Sequence, residues 1–93
     1  LSSLEKIKKE RIRFFSLLSN MEGLRAIPSE ANYIMVEIIN GKKATEITKK
    51  LLSEYNILVK DLSMKIKGGE YLRLAVRNTE DNNRLLIALK EVL

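Results

Sequence analysis

The chain of 93 residues contains no cysteine, no histidine and no tryptophan, and it has a single proline. Without cysteine there is no disulfide and no thiolate chemistry, and without histidine the commonest metal ligand and general base is missing. The carboxylates show no metal-ligand spacing, and neither of the two aspartates, Asp61 and Asp81, has a histidine to orient. We therefore expect no metal site and no self-contained catalytic site.

Long apolar runs are also missing, since none approaches the roughly 20 residues that a membrane helix requires. The N-terminal segment is charged and amphipathic, unlike an export signal. The composition, 45% apolar and 31% charged, is typical of a globular protein, and the length suits one domain. These features predict a single cytoplasmic domain spanning residues 1–93, with no membrane contact.

The net charge of +5 is concentrated near the N-terminus, where residues 5–13 carry five cations and two carboxylates. Such a patch is most often a solvated helix face, but it also suits nucleic acid, an acidic partner or another domain. Only five residues are aromatic, and they do not form the pattern of an RNA-binding sheet. We therefore expect no nucleic-acid partner.

Hydrophobic periodicity predicts an α+β domain, with about three strands in a sheet covered by helices, in the order α-β-α-β-β-α. The predicted helices span residues 3–21, 44–55 and 79–93, and the predicted strands span residues 33–39, 57–60 and 71–77. Ser2 with Glu5 and Asn78 or Thr79 are candidate helix caps. The strand at 33–39 is nearly all apolar, which is typical of a strand covered on both faces.

Two cations lie where an anionic ligand can be bound. Arg73 is in the middle of a predicted strand, on the face opposite Leu72 and Leu74, and Lys60 ends the preceding strand. An arginine there is either solvated on an open sheet or binds a carboxylate or phosphate through its planar fork. The glycines at 41 and at 68–69 lack the spacing of phosphate-binding loops and indicate turns.

Three segments, in this order and spacing, resemble the C-terminal small domain of the histidinol-phosphate aminotransferase family. They are Ser29-Glu30-Ala31-Asn32-Tyr33, Asn56-Ile57-Leu58-Val59-Lys60-Asp61, and Tyr71-Leu72-Arg73-Leu74-Ala75-Val76 followed by Thr79-Glu80-Asp81-Asn82. The resemblance covers nearly the whole chain. It implies the aspartate aminotransferase fold and an enzyme that uses pyridoxal 5'-phosphate.

The resemblance also implies roles for three residues. Arg73 matches the arginine that holds the substrate's α-carboxylate, and Asn32 matches an asparagine at the edge of the substrate cleft. Lys60 stands where an arginine usually helps to bind the substrate's phosphate, which departs from the family pattern. Arg77 stands where the family usually has glycine. Together with the turn Lys60-Asp61-Leu62-Ser63, it is more similar to the related threonine-phosphate decarboxylases. The Asn32 side chain is alternatively a cap at the start of a strand.

The resemblance further implies that the cofactor and its Schiff-base lysine belong to a large domain of the same polypeptide. The parent would then be a homodimer acting on an amino acid or a phosphorylated amino compound, and this domain alone would be inactive. Two other hypotheses remain open. They are a basic nucleic-acid-binding module and an assembly domain that binds a partner through the first helix.

Overall fold

The computed structural model describes residues 2–29 and 31–93, so Leu1, and Glu30 of the first motif, lie outside the described residues. Within this part of the chain, three helices and four strands form one α+β domain. They are α1 (Ser3–Ser19), β1 (Leu24–Ile27), β2 (Tyr33–Ile38), α2 (Ala44–Tyr55), β3 (Lys60–Asp61), β4 (Tyr71–Ala75) and α3 (Thr79–Val92).

The helix ends confirm the predicted caps. The hydroxyl of Ser2 accepts a hydrogen bond from the backbone N–H of Glu5 at 3.2 Å, and the side chain of Asn78 accepts one from that of Asp81 at 2.8 Å. Each bond satisfies a donor that the first turn of a helix leaves unpaired. Asn56 ends α2 in the left-handed region at φ 55°, a conformation that asparagine tolerates better than most residues.

The four strands form one antiparallel sheet in the order β1-β2-β4-β3. Alternate side chains therefore lie on opposite faces of the sheet. One face is buried in a single apolar core with residues from all three helices. The main contributors are Ile34, Val36, Leu72 and Leu74 from the sheet, and Phe14, Leu18, Ile47, Leu51 and Leu89 from the helices.

The opposite face of the sheet is open among the described residues. Tyr33 is 42% exposed, Arg73 is exposed, and Met35 and Glu37 are half-buried. The prediction that the strand at 33–39 is covered on both faces was therefore wrong, because the helices pack on one face only. The side chains predicted to bind an anion lie on the open face.

The strand count also needs correction, since the sheet has four strands and not about three. The missed strand, β1, is only four residues long, and Pro28 follows it directly. Proline is tolerated there because its missing N–H falls just beyond the pairing with β2. With β1 included, the element order is α-β-β-α-β-β-α.

The strand predicted at 57–60 is shorter and begins later. The N–H of Ile57 bonds to the carbonyl of Leu51 at 3.0 Å and so belongs to the end of α2. Pairing with β4 begins only at Lys60. Among the helices in residues 2–29 and 31–93, none combines the length and the apolar character that a bilayer crossing requires.

Candidate anion-binding site

Lys60 and Arg73 lie directly opposite each other on adjacent antiparallel strands, β3 and β4. Register partners have Cα atoms about 5 Å apart and project from the same face of the sheet. Lys60 and Arg73 are both exposed. The structure therefore brings together the two cations that the sequence analysis singled out.

Asn32 joins them from the segment just before β2. Its carbonyl accepts a hydrogen bond from the N–H of Val76 at 2.9 Å, which extends the β2–β4 pairing by one step. Its side chain makes no hydrogen bond within the described part of the chain, whereas the turn before it is closed by a bond from the Ala31 N–H to the hydroxyl of Ser29 at 3.1 Å. A capping role for the Asn32 side chain therefore finds no support in its contacts.

The three side chains share one open pocket of about 650 Å³ on the bare face of the sheet. Its polar lining comes from Asn32, Lys60 and Arg73, together with the ring of Tyr33, while Leu58 and Ala75 supply apolar surface. A concave surface with a few converging polar groups is the usual form of a small-molecule site. Because Lys60 and Arg73 make this pocket positively charged, it suits an anionic ligand.

The guanidinium of Arg73 lies over the ring of Tyr33, with Cζ 5.1 Å from the ring centroid. No carboxylate within residues 2–29 and 31–93 contacts it. Three other arginines, Arg13, Arg25 and Arg77, each pair with a carboxylate at 3.0 Å or less. A cation over an aromatic face keeps its N–H groups available at the edge, so Arg73 retains its fork for a ligand.

Asp61 adjoins Lys60 in sequence but does not neutralise the pocket. Burial raises the pKa of Asp61, but hydrogen bonds from Ser63 and Thr45 outweigh it and leave the pKa below its usual value. The Ser63 N–H donates at 2.8 Å and the Thr45 hydroxyl at 2.9 Å. The Asp61 carboxylate is therefore satisfied by uncharged donors, and none of the described ion pairs joins it to Lys60.

A second polar cluster was not predicted. Asn82, only 1% exposed, donates from Nδ2 to Glu10 at 2.7 Å and to the Arg77 carbonyl at 3.0 Å, and its Oδ1 accepts from the Arg77 N–H at 3.0 Å. Glu10 also accepts two bonds from Arg13 and one from the Thr79 hydroxyl, each at 2.9 Å. This cluster ties α1 to the start of α3 and to the backbone just after β4.

The signal for this cluster is in the spacing of α3. Asn82 falls in the stripe with Leu85, Leu86 and Leu89, so helical periodicity alone puts an amide on the buried face. Buried amides require hydrogen-bond partners, so this position predicts a polar partner, but the sequence does not show that the partner is Glu10 of α1. Within the described residues, no group of three or more carboxylate, histidine or cysteine side chains is arranged to hold a metal ion.

Comparison with known proteins gives the family. The model of the family "Aminotransferase class I and II" matches residues 2–89. L-serine phosphate decarboxylase of Sulfurospirillum multivorans is 38% identical over 91% of this chain. A histidinol-phosphate aminotransferase of Methanococcus aeolicus is 36% identical over 96% of it. The solved structure of a decarboxylase from S. multivorans superposes with a TM-score of 0.91, at 37% identity over 96% of the chain.

These matches cover only part of the relatives. The chain spans 22% of the Sulfurospirillum enzyme, 25% of the Methanococcus enzyme and 23% of the solved decarboxylase chain. The family match itself extends over almost the whole of this chain, and the α+β fold agrees with it. The resemblance found in the sequence is thereby confirmed, and the chain belongs to the class I and II aminotransferase family.

Proposed function

We propose that this chain is the substrate-anchoring small domain of a pyridoxal-phosphate-dependent aminotransferase, in which Arg73 binds an anionic group of the substrate. The observation that carries the proposal is the position of Arg73. It lies opposite Lys60 in an open pocket, and no carboxylate among the described residues uses its fork. The substrate class is an amino acid or a phosphorylated amino compound of the kind that histidinol-phosphate aminotransferases act on.

The two cations suit different anions. The planar fork of Arg73 matches the two oxygens of a carboxylate or phosphate, and such a charge-assisted contact contributes about 1.5–3 kcal/mol. Lys60 adds a compact charge without directional preference. A phosphate dianion engages both residues, while a carboxylate needs only Arg73. Asn32, at the rim of the pocket, supplies an amide that can donate to the same anion or to a neighbouring group of the substrate.

The family is dependent on pyridoxal 5'-phosphate, which supplies the electron sink for chemistry at the substrate's α-carbon. This pocket does not fit the complete cofactor. Its polar groups are two cations, an amide and a phenol, and its described lining offers no carboxylate to pair with a protonated ring nitrogen. We therefore assign cofactor binding to a large domain of the same polypeptide, which matches the share of the relatives that this chain spans.

The rest of the proposal concerns the parent protein. We expect a cytoplasmic homodimer in which this domain binds and orients the substrate and helps to close the site over it. The isolated domain should have no activity. Reconstituting the chain alone with cofactor and substrate would test that point, and turnover above the level of the free cofactor would contradict it.

A second candidate is decarboxylation of a phosphorylated amino acid. It is supported by a match to an L-serine phosphate decarboxylase that is comparable in identity to the match to a histidinol-phosphate aminotransferase, 38% against 36%. It also rests on Arg77, which the sequence resemblance places where the histidinol-phosphate enzymes usually have glycine. Both reactions use the same anchoring role for Arg73. Product analysis of the parent enzyme separates them, because decarboxylation releases carbon dioxide, whereas transamination converts an oxo-acid acceptor into an amino acid.

The anchoring role is tested in the parent enzyme with Arg73→Gln. We expect KM for the substrate to rise about 10- to 100-fold, the equivalent of the lost charge-assisted contact. The matched control is Lys50→Gln on α2, which removes one cation from a surface pair with Glu46 at 3.7 Å and should leave KM unchanged. An unchanged KM in Arg73→Gln would contradict the proposal.

A further inference from the structure

Two different side chains on the open face of the sheet are within reach of the Arg73 guanidinium. In the β2–β4 register it lies directly opposite Met35, so its diagonal neighbours on β2 are Tyr33 and Glu37. Diagonal positions on one face of a sheet are about 7–8 Å apart, within reach of a long side chain. The guanidinium can therefore lean toward an aromatic ring on one side or a carboxylate on the other.

In the structure, the Arg73 guanidinium contacts the aromatic ring and not the carboxylate. The Arg73 guanidinium lies over Tyr33, and Glu37 is bound by a different arginine. Arg25, the register partner of Glu37 on β1, places both Nε and an Nη atom 2.8 Å from Glu37 Oε1. That hydrogen bond, reinforced by charge attraction, raises the pKa of Arg25. The carboxylate that could compete for Arg73 is therefore already matched by another cation.

We propose that Arg25 and Tyr33 are positioning residues that keep Arg73 available for the substrate's anion. Arg25 does so by holding the Glu37 carboxylate, and Tyr33 by providing the ring on which the guanidinium rests. This inference rests on the anchoring role proposed for Arg73. It adds that the affinity of the site depends on an ion pair one strand away, between two side chains that do not line the pocket.

Contact with Tyr33 and contact with Glu37 differ in how many N–H donors of Arg73 remain available to a ligand. An ion pair between Arg73 and Glu37 would use the N–H groups of the fork and draw the guanidinium away from the pocket, which Glu37 does not line. Contact with a ring face uses the π-surface of the guanidinium and leaves its edge free. Resting on Tyr33 is therefore compatible with binding, whereas pairing with Glu37 is competitive with it.

The test uses the chain itself, titrated with inorganic phosphate and followed by NMR to give a dissociation constant. Arg25→Gln releases Glu37, and we expect phosphate to bind roughly threefold more weakly, in keeping with the strength of an exposed ion pair. Adding Glu37→Gln to that variant removes the competitor and should restore the wild-type constant. Lys50→Gln, the control for loss of one positive charge, should not change it.

Tyr33 is tested in the same titration with a conservative pair. Tyr33→Phe keeps a ring beneath Arg73 and should retain wild-type affinity, while Tyr33→Leu removes it and should weaken phosphate binding about two- to fivefold. The exposed Nε–H resonance of Arg73 should shift when the ring is lost, since it leaves the ring-current field. Equal affinities in Tyr33→Phe and Tyr33→Leu would overturn the role of the ring.

The phosphate dissociation constants of the Arg25 variants either support or overturn the positioning role of Arg25. Wild-type affinity in Arg25→Gln would overturn it, and so would a loss that Glu37→Gln does not reverse, because Arg25 would then bind phosphate itself. Arg73→Gln distinguishes a failure of the anchoring role of Arg73 from a failure of the positioning role of Arg25. If that variant binds phosphate like the wild type, the anchoring function fails. If it loses binding while Arg25→Gln does not, only this inference fails.

Discussion

Lys60 faces Arg73 across two adjacent antiparallel strands, and the described chain places no carboxylate between them. Two like charges held side by side repel each other, so the arrangement does not stabilise the free domain. It is favourable once an anion binds between the cations. This pairing gives the open face of the sheet its proposed function.

Lys60 should determine which anion the parent enzyme prefers. Lysine offers a point charge, whereas arginine at this position would add a second planar fork. We expect Lys60→Gln to lower kcat/KM for a phosphorylated substrate by about tenfold, with a smaller effect on an unphosphorylated analogue. Steady-state kinetics with the two substrates would measure this selectivity. Equal losses for both would show that Lys60 does not distinguish phosphate.

Glu10 should make the stability of the domain depend on acid pH. Its side chain is 12% exposed, and hydrogen bonding from Arg13, helped by Asn82 and Thr79 and opposed by burial, lowers its pKa from 4.5 to about 2. A carboxyl whose pKa is lower in the folded state stabilises the fold above its unfolded pKa. That stability, on the order of 2–3 kcal/mol, is lost as the pH falls from about 4.5 toward 2.

The measurement for Glu10 is urea unfolding at a series of pH values. Glu10→Gln should reduce the stability at neutral pH and flatten its dependence between pH 4.5 and 2. Glu46→Gln, at a half-exposed position on α2, is the matched control and should keep the wild-type slope. The same slope in Glu10→Gln and the wild type would disprove the assignment.

Asn82 should be the most sensitive polar position in the domain. Asn82 is buried, and Asn82→Leu removes its three hydrogen bonds, two of them to the backbone N–H and carbonyl of Arg77, so we expect a loss of about 2–3 kcal/mol in the free energy of unfolding. Asn83, the next residue, is exposed and accepts one bond from Arg13 at 2.8 Å. Chemical denaturation of Asn83→Ala should show a loss below about 1 kcal/mol. Comparable losses in both variants would contradict the buried role of Asn82.

The sequence predicted the elements with strong periodicity. Helix α2 has the predicted bounds of 44–55, and Leu72 and Leu74 are buried while Arg73 is exposed, as alternation in a strand requires. The short elements could not be predicted as reliably. Strand β1 has four residues and β3 has two, so their pairing is decided by the neighbouring strands rather than by their own composition.

The candidate site was predictable in its residues but not in its surroundings. Arg73, Lys60 and Asn32 were identified from the sequence, and the structure places them in one pocket, although their roles stay predictions. The contact of Arg73 with Tyr33 and the pairing of Arg25 with Glu37 depend on strand register. The first depends on the register between β2 and β4, which sequence periodicity alone does not fix, and the second depends on β1, the strand that was not predicted.

The most direct test of the account is arginine side-chain NMR of the unaltered chain during titration with inorganic phosphate. The six arginines report separately, so the experiment identifies which guanidinium binds the anion. We expect the Nε–H resonance of Arg73 to shift the most and to saturate with a single dissociation constant, while those of Arg13 and Arg77, held by carboxylates, move little. A saturating shift at any other arginine, with Arg73 unmoved, would contradict it.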